Sequence, residues 1–243
     1  MFLRQLYSIW VIFSMTFFFF LCIFPLLICT PFKRFHIIAL WITRLWAIGF
    51  FKLAFIPVRY IWEFKPEKNE QYILCANHFS FLDIPALSLF PKPFKFVGKS
   101  QLARIPLFGL MYNKIHITVN RSSYRSRANS LVRARKELKY GHNLGFFPEG
   151  GIRIEQFPEM GNFHDGAFRL SVETNTPIVP ISFPDNYQVL PDDKILEIRR
   201  RPCRIIYHRP IYPQGAGEGK IKQLRHEVFR VIQSSLRREQ INS

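Results

Sequence analysis

His78 and Asp83 lie five residues apart in the run Asn77-His78-Phe79-Ser80-Phe81-Leu82-Asp83. On one regular helix that spacing turns the two side chains roughly 140° away from each other, so the pair can do chemistry only across a bend. The run follows an apolar, strand-like segment, Tyr72-Ile73-Leu74-Cys75-Ala76, and Ser80-Phe81-Leu82-Asp83 reads as a helix N-cap with an acid at the third helical position. Ser80 supplies the bend, leaving His78 at the strand end and bringing the Asp83 carboxylate back toward it. An imidazole oriented by a carboxylate has a fixed tautomer and works as a general base. A plainer reading stays open on these residues alone, in which Asp83 only completes the cap and His78 is an incidental loop residue.

The elements that must position such a pair recur along the chain. Strand-like runs fall at Ile73–Ala76, Phe94–Val97, Ile115–Val119, Leu144–Phe147, Ile178–Phe183, Ile195–Ile198 and Arg204–Tyr207, with an earlier one near Val58–Trp62. Helical stretches at Phe81–Phe90, Gln101–Tyr112, Tyr124–Tyr140, Gly166–Thr174 and Ile221–Leu236 separate several of them. The alternation predicts an α/β domain with a mixed central sheet flanked by helices. Ligand sites in such sheets gather where strands end. His78, Arg121 and Glu149 each follow a predicted strand, with Pro148 and Gly150 fixing and loosening the chain around Glu149. Gly98-Lys99-Ser100 looks like the end of a P-loop, but Pro93 occupies the position of the first glycine, so Lys99 is left as a point charge. Ser80 sits in no G-x-S-x-G elbow, which argues against a serine hydrolase.

Ahead of this domain, no charged residue occurs between Arg4 and Lys33, and an apolar stretch from about Leu6 to Cys29 is long enough to span a hydrocarbon core. A small-residue cleavage site is missing, which argues against a removed signal peptide. A second apolar segment, about Phe35–Ile56, is interrupted by His36, Thr43, Arg44 and Lys52 within roughly half of a helical wheel, as a helix lying in the interface would be. Pro25 can bend the first segment, so a hairpin dipping into one leaflet and a full crossing both remain open. The expected organisation is a membrane-associated two-helix anchor over residues 1–58 and a catalytic domain over 59–243.

The 34 basic and 17 acidic residues give a formal charge of +17. So basic a surface seeks anions, and the apolar N-terminus favours anionic lipid, where each Lys or Arg near the surface adds about 1 kcal/mol of attraction. Arg121, Arg125, Arg127, Arg133, Arg135 and Lys136 crowd one stretch without an aromatic-rich RNA-binding pattern, so no nucleic-acid partner is expected and a solvated helix face accounts for most of them. The four cysteines show neither CxxC spacing nor a disulfide framework, and the seven histidines no metal-ligand cluster. No metal is expected, and the thiols fit a reducing, cytoplasmic setting for the catalytic domain.

Beside the NHxxxxD run stand Lys99, Leu102, Pro106 and Gly109 in a K-x-x-L-x-x-x-P-x-x-G stretch, Val119-Asn120-Arg121, Phe147-Pro148-Glu149-Gly150 and the late Val179-Pro180 strand. In that order and at those intervals, from about Tyr72 to Phe183, the chain resembles the PlsC-type phospholipid-synthesis acyltransferases. The resemblance implies a glycerol-3-phosphate acyltransferase-like fold preceded by an N-terminal hydrophobic helix pair. It also implies acyl transfer to the free hydroxyl of a lysophospholipid at the membrane, with the domain facing the cytoplasm as at a bacterial inner membrane. No cofactor is implied; an acyl carrier protein or coenzyme A thioester is the co-substrate. His78 and Asp83 would be catalytic, while Lys99, Arg121, Glu149, Gly150 and Arg153 would serve substrate binding, Glu149 by ordering the acceptor or holding an Arg. Backbone N–H groups near the Ser80 helix start or the Glu149 loop are candidate oxyanion donors. Two departures stand out: Gly151 replaces a Thr of the family's FPEGTRS and displaces the next arginine to Arg153, and Phe163-His164-Asp165-Gly166-Ala167 stands where F-K-x-G-A is common. The acceptor is then 1-acyl-sn-glycerol-3-phosphate, giving phosphatidate, or alternatively a lyso-ornithine or other aminolipid; a non-catalytic, membrane-bound basic module is the third reading.

Overall fold

The computed structural model describes residues 2–152, 157–191 and 197–241. Its two apolar helices, α1 (Phe2–Cys29) and α2 (His36–Leu53), form an antiparallel hairpin. The Tyr7 hydroxyl donates to the Ala54 carbonyl at 2.9 Å and the Trp10 indole to that of Leu53 at 2.8 Å, which ties the start of α1 to the end of α2. Ser8 and Ser14 hide their hydroxyls inside α1 by bonding back to the Arg4 and Trp10 carbonyls. Both helices are long and apolar enough to cross a membrane, and only 22% and 33% of their most apolar windows are buried, so most of that surface faces outward. A core helix of a water-soluble domain would bury it.

The strands are β1 (Val58–Trp62), β2 (Ile73–Ala76), β3 (Phe94–Lys99), β4 (Ile117–Val119), β5 (Asn143–Phe146), β6 (Ile178–Ser182) and β7 (Cys203–Tyr207). The remaining helices are α3 (Asp83–Leu87), α4 (Phe108–Ile115), α5 (Tyr124–Lys139), α6 (Gly166–Thr174), α7 (Asn186–Val189) and α8 (Glu218–Ile241). One mixed sheet in the order β1-β7-β6-β2-β5-β3-β4 joins all seven strands, parallel throughout except between β6 and β7. β2 lies at its centre, and every residue from Ile73 to Ala76 is buried, as a strand covered on both faces requires. Because β2, β3, β4 and β5 run the same way, the chain leaving each of them emerges along one edge, and the residues past their ends become neighbours.

Alternation along β2 divides the core. Tyr72 and Leu74 pack with Val11, Phe50, Phe51 and Ile56 of the N-terminal segment, whereas Ile73 and Cys75 pack with Phe168 of α6 and Val228 and Ile232 of α8. The helix hairpin is thus one of the two layers that cover the sheet, and residues 1–58 and 59–243 share a core.

The helix expected at Gln101–Tyr112 is split. A 3-10 turn covers Ser100–Arg104, Ile105 is extended, Leu107 has φ +61°, and α4 begins only at Phe108. Pro106 is the cause, since it removes a donor and disfavours helical geometry in the residue before it. Ile115 and His116 end α4 and its cap, so the strand expected from Ile115 starts at Ile117. Of the strand expected at Ile195–Ile198, residues 195 and 196 lie outside the described residues, and Glu197 and Ile198 are not in a strand; the Ile198 N–H bonds to the Ser8 hydroxyl of α1 at 2.9 Å.

Candidate active site

His78 leaves the C-terminal end of β2 over a clamp made by its neighbour. Asn77 accepts a hydrogen bond from the Phe183 N–H at 2.8 Å and donates to the Phe183 carbonyl at 3.1 Å, locking the ends of β2 and β6 together. The next four residues form a tight turn around a carboxylate. Asp83 Oδ2 accepts from the N–H of Phe79 at 2.8 Å and of Ser80 at 2.9 Å and meets His78 Nδ1 at 3.0 Å. Its Oδ1 accepts from Asn186 Nδ2 at 2.8 Å, and Asn186 in turn accepts from the Cys203 thiol at 2.6 Å. The helix starts at Asp83 itself, so Ser80 is not its N-cap; the Ser80 hydroxyl accepts from the Leu82 N–H at 3.1 Å and donates to the Leu190 carbonyl at 2.7 Å.

This arrangement defines the imidazole. A neutral ring that gives Nδ1–H to Asp83 keeps its lone pair on Nε2, and the ring plane is fixed by stacking on Phe147 at 4.1 Å between centroids. Asp83 is wholly buried, whereas 11% of the His78 side chain stays exposed, so the base is reachable and its orienting acid is not.

Glu149 follows β5 and is also buried. Its Oε1 accepts from the His78 N–H and its Oε2 from the Gly161 N–H, each at 2.8 Å, so the carboxylate fastens the backbone of the His78 loop to the chain after residue 157. Gly150 turns the loop with φ +85°, its N–H donating to the Phe147 carbonyl at 3.1 Å. A Cβ there would lie 3.0 Å from Arg121 Nη1 and 2.9 Å from His164 Nε2, and one on Gly151 would lie 3.6 Å from Lys99 Nζ. The bare Gly150 backbone therefore leaves room for Arg121, from beyond β4, while Lys99 at the end of β3 reaches the same loop at Gly151. Arg121 is half-buried; burial pushes its guanidinium below the usual range, with the Tyr112 phenol acting in the opposite direction. Tyr112 is buried as well, raised to about 12 by burial against the pull of Arg121, and its hydroxyl fills the space that a Cβ on Gly98 would need.

The structure thus brings His78, Asp83 and Glu149 into direct contact and sets Gly150 against Arg121, with Lys99 beside Gly151; Arg153 lies outside the described residues. The N–H groups of Phe79, Ser80, Leu82 and Gly150 are already committed to protein acceptors, which removes them from the candidate oxyanion donors. Asn77, Tyr112 and Asn186 were not singled out from sequence. Asn77 stands inside the NHxxxxD run, but Asn186 is 103 residues from its partner Asp83, and no local pattern marks it. Among the described residues no group of three or more His, Cys, Asp or Glu could hold a metal ion.

An imidazole oriented by a buried carboxylate at a strand end, next to a loop that two cationic side chains approach, is an arrangement able to take a proton from a hydroxyl near an anionic group. The Acyltransferase family model matches residues 58–184, and the chain belongs to that family. It is similar to a 1-acyl-sn-glycerol-3-phosphate acyltransferase of Chlamydomonas reinhardtii, 29% identical over 207 residues that make up 83% of this chain and 59% of that protein. A chloroplastic 1-acyl-sn-glycerol-3-phosphate acyltransferase of Arabidopsis thaliana is 30% identical over 193 residues, 78% of this chain and 52% of that one. The chain thus spans somewhat over half the length of these relatives. In fold it matches the crystal structure of the 1-acyl-sn-glycerophosphate acyltransferase PlsC from Thermotoga maritima with a TM-score of 0.75 at 21% identity, covering 98% of this chain and 95% of that one.

Proposed function

We propose that the protein transfers an acyl group from a thioester to the free hydroxyl of a lysophospholipid, with 1-acyl-sn-glycerol-3-phosphate as acceptor and phosphatidate as product. The observation that carries this reading is the buried Asp83–His78 pair opening beside a loop that Arg121 and Lys99 approach together. His78 Nε2 takes the acceptor hydroxyl proton as the oxygen attacks the thioester carbonyl, and the imidazolium, stabilised by Asp83, returns it to the departing thiolate. No covalent enzyme intermediate is needed, because a thioester is already activated. Arg121 holds the acceptor phosphate through its planar fork and Lys99 adds a point charge. The outward apolar faces of α1 and α2 hold the domain against the cytoplasmic side of a membrane, so the acceptor reacts without leaving the bilayer. The donor is an acyl carrier protein or coenzyme A thioester, and no further cofactor takes part.

The aminolipid alternative draws on His164 and Asp165 in the altered FHDGA segment. Asp165 is engaged by Arg225 at 2.7 Å, and His164 and Arg121 both lie against Gly150, so the one acidic group of the altered segment is already paired and the phosphate acceptor is favoured. The test supplies the full chain, in liposomes, with a labelled acyl thioester and a panel of lysolipids including lysophosphatidate and a lyso-aminolipid. Labelled phosphatidate made by wild type and not by His78→Ala supports the assignment. Turnover confined to the aminolipid overturns the acceptor, and equal product from His78→Ala overturns the mechanism.

A further inference from the structure

The segment leaving β3 presents an apolar surface that the catalytic reading leaves unused. Ile105, Pro106, Leu107 and Leu110 are all exposed, Leu110 at 65%, around the break that splits the expected helix. This tip is built stiffly. A Cβ on Gly109 would fall 2.1 Å from the Ala103 carbonyl oxygen, so the 3-10 turn and α4 touch backbone to backbone, and the Gly109 N–H donates to the Ile105 carbonyl at 2.7 Å. Leu107 sits at φ +61°, a left-handed conformation that a Leu adopts only where the surroundings impose it. A rigid, strained tip of large apolar side chains facing water is a poor arrangement for a purely aqueous surface.

Two observations identify what covers it. The first is charge. Lys99, Arg104 and Lys114 flank the tip as exposed cations, and not one acidic residue occurs between Asp83 and Glu137. The second is continuity with the outward apolar face of the N-terminal hairpin. Phe108 meets Phe19 of α1 at 6.2 Å, and Met111 and Ile115 of α4 pack with Leu26 and Cys29 of α1 and Ala39 and Leu40 of α2. α4 is thereby held alongside α1, whose Phe20, Phe24 and Ile28 point outward.

We propose that residues 99–114 form a second membrane contact, in which Ile105, Pro106, Leu107 and Leu110 enter the interfacial zone of an anionic bilayer while Lys99, Arg104 and Lys114 meet its phosphates. This deepens the reading of an acceptor that stays in the bilayer, and rests on it. Lys99 joins the tip to the catalytic loop at Gly151, so insertion sets Lys99 and Arg121 at the depth of lipid headgroups, where a lysophospholipid phosphate arrives.

The experiment places an environment-sensitive fluorophore on Leu110→Cys in the full chain, with Cys22→Ala and Cys29→Ala and with Cys75 and Cys203 left in place, both being fully buried. The protein is reconstituted into phosphatidylglycerol/phosphatidylcholine vesicles. A nitroxide on the lipid chains is expected to quench this probe and aqueous iodide to spare it, with the reverse for the same probe on Tyr140→Cys. A Leu110 probe that iodide quenches freely overturns the proposal. So does a probe that responds only to added acyl carrier protein, which would make the surface a docking face for an acidic protein. In parallel, Ile105→Asp/Leu110→Asp is expected to raise KM for vesicle-borne lysophosphatidate by about tenfold or more, from the burial lost at two side chains, without changing turnover of a short-chain acceptor dissolved as monomers. Equal loss on both acceptors assigns the tip a structural role and overturns the proposal. If wild type acylates neither acceptor, the acyltransferase reading fails, whereas the quenching result still decides the membrane contact.

Discussion

Replacing Glu149 by Gln keeps the shape of the side chain and removes one of its two acceptor oxygens. In the native loop both oxygens are used, one by the His78 N–H and one by the Gly161 N–H, in a place where the side chain is only 2% exposed. The amide NH2 must then face one of these N–H groups, donor against donor. Losing one charge-assisted bond to a buried partner is worth about 1.5–3 kcal/mol. In a chain of this size that corresponds to a fall in Tm of about 3–12 °C. His78 is displaced with its backbone, and a misplaced base lowers kcat; a roughly ten- to hundredfold fall is expected. Glu149→Asp is expected to fare no better, because the carboxylate, shorter by a methylene, cannot span both donors. The assay pairs thermal unfolding in detergent with kcat and KM for lysophosphatidate. If Glu149→Gln unfolds at the wild-type temperature and raises KM alone, Glu149 acts on the acceptor and the argument that it fastens the His78 loop is refuted.

Further expectations concern the base, the phosphate site and acid stability. His78→Ala should lower kcat by on the order of 10²–10⁴ while leaving Tm close to wild type, since the ring is partly exposed and Asp83 keeps its two backbone donors; near-normal turnover would remove His78 from the mechanism. Arg121→Ala should cost roughly ten- to a hundredfold in kcat/KM for lysophosphatidate, with Arg121→Lys recovering only part because the fork is lost; unchanged kinetics would place the phosphate elsewhere. His116 is buried, its Nδ1 accepting from the Phe96 N–H at 3.2 Å, and burial, with the charges of Lys95 and His36, pushes it down from 6.5 to about 3. As pH falls the unfolded chain takes up this proton first, so stability present above about 6.5 is lost progressively toward pH 3. His116→Asn should flatten that part of the stability profile, and an identical profile would contradict the assignment.

How legible the site was follows from how far apart its partners lie. The His78–Asp83 contact closes within one turn, so the spacing and the need for a bend pointed to it, but the bend is made by Asp83 gathering the Phe79 and Ser80 N–H groups and not by a Ser80 cap. The mixed sheet was legible from alternating apolar runs, because β2, β5 and β6 are buried on both faces and carry almost no polar residue. Glu149 stood out as a strand-end residue, but its bond to the His78 N–H joins β5 to β2 across 71 residues and is a product of strand order. Asn186 acts through a still more distant pairing, with Asp83 103 residues away, while Tyr112 works over short separations, against Gly98 and Arg121, and neither Asn nor Tyr signals such use by itself. Pro106 was visible in the helical stretch that it breaks, yet the periodicity on either side continued through it; the tight Gly109–Ala103 approach that fixes the break is purely tertiary.

The shared core between the N-terminal hairpin and the sheet constrains how the chain is made. The inner face of α1 finds its partners late: Ser8 accepts a hydrogen bond from Ile198, 190 residues downstream, and Val11 packs with side chains that reach as far as Tyr207. At about 5–20 residues per second of synthesis, the hairpin waits on the order of 10–40 s before those partners exist. During that interval its inner and outer faces are equally uncovered, and a bilayer is the surrounding that can shelter both. If the hairpin lies in a bilayer as proposed, membrane engagement precedes completion of the fold, and the nascent chain matures on the surface from which the proposed acceptor comes.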